Sequence, residues 1–166
     1  MNKKRITAKM KEFQKILGIR FKNLDLLCDA MNGEKTELND HFCDPMATVG
    51  DAILATILAD RSYSVDNCRS KEGITAEKGL ADNDIMYRLA EGEGWNKYIY
   101  TSKHFYGDEG VPDHELVPFK KGHFPHIEAI VAAIYYDRGF EKTKKWAKDK
   151  LRPLLIKYKN EPKPHN

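Results

Sequence analysis

Residues 44–60 read DPMATVGDAILATILAD. Asp44 is a good helix cap and Pro45 suits a first helical turn. The run then stays small or apolar to about Ala59, with Asp51 as its one interior carboxylate. Rotation by about 100° per residue puts Met46, Val49, Ile53 and Ile57 on one side. Ala47, Leu54 and Leu58 extend that surface round the helix, which predicts burial on most sides. Asp51 falls just past Leu58, where an unpaired charge costs free energy. Gly50 lets another backbone come close.

A second segment repeats the arrangement. In FPHIEAIVAAIYYD, residues 124–137, Glu128 precedes a long uncharged run. Each of the two most hydrophobic helices thus carries one acid near its N-terminal half. Three explanations stay open. Each carboxylate bonds to a neighbouring cation or backbone group, the two share a divalent metal, or the acids are not buried despite their apolar neighbours. Magnesium suits the second case, because it prefers carboxylate oxygens and keeps several waters.

Composition bounds the rest. The chain has 166 residues, 41% hydrophobic and 32% charged, the range of a water-soluble globular protein. No uncharged apolar run is long enough for a membrane span. MNKKRITAKMKEF at the start is basic but leads into no apolar core, so it does not read as a secretory signal. Cys28, Cys43 and Cys68 are odd in number and widely spaced, which fits free thiols in a reducing, cytoplasmic setting. A net charge of +3 permits a nucleic-acid partner without demanding one.

The remaining segments also read as helical. Thr7 is a candidate cap for a helix running to Leu17, with Gly18 as its stop. LDLLCDAM follows, with Asn23 as its cap. After Ala59 a loop or broken helix is expected, then one or two helices over 74–90 and a turn near NKYIY. Residues 106–123 form the longest expected loop. The last helix spans about 141–158, with a kink at Pro153. No repeat and no strand pattern is present. The expectation is an all-α domain over residues 1–158, with a flexible tail at 159–166.

Four blocks then stand in a telling order: LGIRFKNLDLLCDAM, DPMATVGDAILATILAD, ITAEKGLADNDIMYRLAEGEGW and KGHFPHIEAIVAAIYYDRGF. Together they resemble the catalytic domain of the ribonuclease III family, over about residues 10–155. The resemblance implies a helical ribonuclease III-like endonuclease domain, a homodimer, and magnesium- or manganese-dependent cleavage of double-stranded or structured RNA. It matches Asp51 and Glu128 to the family's metal-holding acids, Asp44 to the signature's first acid, and Lys121 to a recurrent lysine. Two positions depart. The family's acid four residues before Asp51 is Ala47 here, and its aspartate three residues before Glu128 is Pro125. The short mini-ribonuclease III group is similarly reduced, and it too has no separate double-stranded-RNA-binding domain. No such domain is expected after residue 158. The departures motivate a second reading, a silent relative that binds RNA or acts as a scaffold.

His126 falls opposite Glu128 on a helical projection and is expected to pack or face solvent; His123 reads as structural. Candidate RNA contacts are Lys71, Lys78, Lys120 and Lys121, supported by the basic run EKTKKWAKDK. Duplex RNA is held mainly through shape, phosphates and 2′-hydroxyls, so exposed lysines are the expected means.

Overall fold

The computed structural model describes residues 2–39, 41–101 and 124–162. Helices dominate: α1 (Asn2–Ile16), α2 (Asp25–Ala30), α3 (Asp44–Ser64), α4 (Lys71–Lys78), α5 (Asn83–Gly92), α6 (His126–Arg138), α7 (Phe140–Trp146) and α8 (Arg152–Asn160). Among the described residues, strand-like pairing is limited to an isolated parallel bridge between Asn32 and Tyr100. No helix there is long and apolar enough to cross a membrane.

The centre is the pair α3 and α6, the most extensive helix pairing in the fold. α6 is buried nearly all round, with Ile127 and the run Ala129–Ile134 inside. That is why its sequence has no polar stripe. α3 buries Ala47, Gly50, Leu54, Ile57, Leu58 and Ser62. α1 adds Met10, Phe13 and Leu17, and α5 adds Ile85, Met86, Leu89 and Ala90.

Several local expectations shift. α1 begins ahead of Thr7, which lies inside the helix and does not cap it. The Lys- and Arg-rich start favours helix and contains no breaker, so the helix extends upstream. Gly18 does end the helix, at φ +68°. The Ile19 N–H donates to the Gln14 carbonyl and the Gly18 N–H to the Lys15 carbonyl, each at 3.1 Å, the double closure of a Schellman turn. α3 continues to Ser64, past the expected end at Ala59, because DRSYS contains no breaker.

The C-terminal helix does not break at Pro153. A π-helical segment, Ala147–Leu151, precedes it and joins α7 to α8. Widening the turn there accommodates a proline that can neither donate to the preceding turn nor tolerate its carbonyl. The buried Trp146 Nε1–H donates to the Leu17 carbonyl at 2.7 Å, which ties this segment to the end of α1. The loop expected at 106–123, with Lys120, Lys121 and His123, lies outside the described residues.

Candidate active site

Gly50 and Glu128 define where α3 and α6 meet. A Cβ built on Gly50 would stand 1.7 Å from the Glu128 carbonyl oxygen. Only glycine permits that approach, because no real Cβ contact is so short. The contact places consecutive residue 51 beside Glu128, and the Asp51 charge acts on the Glu128 carboxyl.

The two acids differ in setting. Asp51 is exposed, not embedded in apolar surface as its neighbours suggested. α3 turns Ala47, Gly50 and Leu54 inward and leaves Met46, Val49 and Ile53 half-buried, so the buried arc is narrower than the apolar arc. Glu128 is half-buried. Its pKa is pushed up to about 7, first by burial and then by the Asp51 charge. Among the described residues neither carboxylate has an ion-pair partner within 4 Å. Two acids that repel one another form a donor set suited to a divalent ion completed by waters. No group of three or more His, Cys, Asp or Glu side chains is gathered as a metal cage among the described residues.

Asp44 is engaged at the entrance of α3. It is the first residue of α3, and its Oδ2 accepts the His41 backbone N–H at 2.8 Å. His41 Nδ1 lies 3.4 Å from its Oδ1. The step of seven residues from Asp44 to Asp51 separates them by about 10 Å along the axis. The helix entrance is therefore latched by Asp44, while Asp51 and Glu128 form the close pair. The two departures are packing residues. Ala47 is 5% exposed, and buried Pro125 precedes α6, its carbonyl accepting from Ala129 N–H at 3.0 Å.

His126 is fully buried, which selects packing over a solvent-facing role. Its Nδ1 is 2.7 Å from the Ala30 carbonyl and 3.3 Å from Cys43 Sγ. A carbonyl can only accept, so Nδ1 carries the proton. This ring joins the end of α2, the residue before α3 and the first turn of α6. Burial, then the charges of Asp44 and Glu128, push the Cys43 thiol pKa well up, so the sulfur stays protonated. The role of Cys43 at this junction was not legible in the sequence, since a lone cysteine beside a helix start carries no distinctive pattern. Lys71 and Lys78 are both exposed on α4.

Comparison with known proteins adds ancestry to this geometry. No family model matches the chain. Ribonuclease 3 of Clostridium kluyveri is 28% identical over 153 residues, covering 88% of this chain and 59% of that protein. Ribonuclease 3 of Dehalococcoides mccartyi is 32% identical over 140 residues, covering 80% and 56% respectively. The chain thus spans less than two thirds of the length of these relatives. In fold it is similar to the nuclease domain of ribonuclease III from Campylobacter jejuni, with TM-score 0.62 and 18% identity, covering 90% of this chain and 96% of that domain. That structure is described as having a flexible region involved in dimer formation. The all-α architecture and the sequence relationship agree: the chain is a divergent relative of these ribonuclease 3 proteins over the part of them that it spans, and its fold is that of a ribonuclease III nuclease domain.

Proposed function

We propose that the protein is a metal-dependent endoribonuclease acting on double-stranded or structured RNA, in the manner of an RNA-processing enzyme. The observation that carries this reading is the Asp51–Glu128 pair, drawn together by the Gly50 contact within a ribonuclease III-type fold. Asp51 and Glu128 are the residues that would hold Mg2+ or Mn2+. When bound, such an ion neutralises phosphate charge and promotes attack by water on the phosphodiester. Asp51 offers an exposed carboxylate on the solvent side. Glu128 offers a half-buried one whose ionised form is costly until a cation compensates it. Asp44 supports the site by fixing the entrance of α3, and Lys121 is assigned to orient a phosphate or an acid. Lys71, Lys78, Lys120 and Lys121 are the proposed RNA contacts.

A homodimer fits the same reading. Met46, Val49 and Ile53 are only half-buried, and Phe42, Tyr135 and Tyr136 are exposed. A second copy would cover part of this apolar surface and add a second acid pair to one duplex. Cys28, Cys43 and Cys68, none of them in a disulfide among the described residues, suit a cytoplasmic setting.

The test is cleavage of a long labelled RNA duplex with magnesium, with manganese and with chelator. The reading predicts metal-dependent products bearing 5′-phosphates. Ala47 and Pro125 favour one competing reading, a silent relative that retains RNA binding. It predicts a folded protein that binds duplex RNA in a salt-sensitive way and leaves it intact with either metal.

A further inference from the structure

A second feature lies away from the acid pair. The end of α1 and the turn after it enclose an open groove of about 610 Å3, lined by Lys11, Gln14, Lys15, Gly18, Ile19 and Arg20. We propose that this groove binds the sugar-phosphate backbone of RNA outside the segment presented to Asp51 and Glu128. The proposal rests on the RNA-handling reading above and assigns it a further contact surface.

Shape comes from the Schellman turn. Gly18 reverses the chain and brings Ile19 and Arg20 back towards α1. Lys11 and Lys15 are one helical turn apart, with Cβ atoms about 5–6 Å from each other. Both are exposed, as is Arg20. Lys150 joins the rim, with its Cε 3.1 Å and its Nζ 3.6 Å from the position a Gly18 Cβ would occupy.

Charge selects the occupant. None of Lys11, Lys15, Arg20 and Lys150 is within 4 Å of a carboxylate among the described residues. The neighbouring acids are already engaged. Glu12 accepts from the Tyr98 hydroxyl, Asp137 from the backbone N–H groups of Lys22 and Asn23, and Asp149 from Lys145. A groove whose cations meet no carboxylate, and whose lining holds no acid, among the described residues suits a polyanion with closely spaced charges. RNA is favoured over an acidic polypeptide because a strand held at the acid pair reaches a second site at high local concentration.

Position keeps the two sites distinct. The turn is pinned to the far end of α6, where Asp137 holds Lys22 and Asn23 and Arg138 donates to the Arg20 carbonyl. Asp137 lies nine positions after Glu128, about 13 Å along the helix.

The experiment measures binding of a long labelled RNA duplex across a salt series, in chelator, for the full chain. Lys11→Gln/Lys15→Gln is compared with wild type and with Lys11→Arg/Lys15→Arg, each checked for native helicity. The expected result is a tenfold or greater loss of affinity at low salt for the glutamine pair, on the order of one decade. The slope of log affinity against log salt should also become shallower by about 1–2, with the arginine pair near wild type. Unchanged affinity and slope in the folded glutamine pair would overturn the proposal. So would polyglutamate competing as well as RNA, which would assign the groove to an acidic polypeptide. RNA binding with the expected slopes but no cleavage in metal would sustain the groove and remove the nuclease reading instead.

Discussion

At residue scale the account turns on Gly50, Asp51 and Glu128. Gly50→Ala forces a Cβ into the Glu128 carbonyl, so the helices must separate. The expected cost is on the order of 2–4 kcal/mol, read as a lower denaturant midpoint. Glu128 predicts a pH dependence. Its pKa stands at about 7 in the folded chain against an ordinary value of 4.5. The folded state therefore binds more protons than the unfolded state between those values. Metal-free stability should fall as the pH rises through that window, and it should be fully retained below it. Glu128→Gln should flatten this slope and raise metal-free stability at pH 8 by on the order of 1–2 kcal/mol, once partial solvent screening is allowed for. Thermal unfolding in chelator across the pH range checks both effects. The pairing of Asp51 with Glu128 was legible because each stands out as an acid in an apolar helix. The exposure of Asp51 was not. Periodicity gives an apolar arc, but packing decides how much of that arc is covered. The buried bond of His126 to Ala30 also escaped projection, since its partners lie on other elements.

At the scale of elements, the sequence located α3 and α6 well and misjudged ends. Helix propensity continues until a breaker intervenes, so α1 starts early and α3 runs on to Ser64. Gly18 was the exception, because a left-handed cap has a distinctive residue preference. Pro153 announced an irregularity without its form. The π segment at Ala147–Leu151 lets the chain continue, and Trp146 within this region anchors α1. Trp146→Phe keeps most of the apolar volume but leaves the Leu17 carbonyl without that donor. It should destabilise the fold by about 1–3 kcal/mol, measured by chemical denaturation. Gly18→Ala imposes a side chain at φ +68° and should cost about 1 kcal/mol in the same assay.

For the whole molecule, the ordered blocks made the fold legible because they place one acid on each of two central helices. What they could not convey was which of the family's acidic positions retain the same geometry. Ala47 and Pro125 are packing residues, and Asp44 latches the entrance of α3 through His41. The proposed site is therefore reduced to two carboxylates, which makes each one indispensable. The measurement that tests this most directly is cleavage of a long RNA duplex, with magnesium or manganese, by wild type and by Asp51→Asn at matched folded concentration. The account predicts metal-dependent cleavage by wild type and a loss of about a thousandfold or more in the variant, which keeps the fold because Asp51 is exposed. Undiminished cleavage by folded Asp51→Asn, or intact RNA with the wild-type protein in either metal, would contradict it.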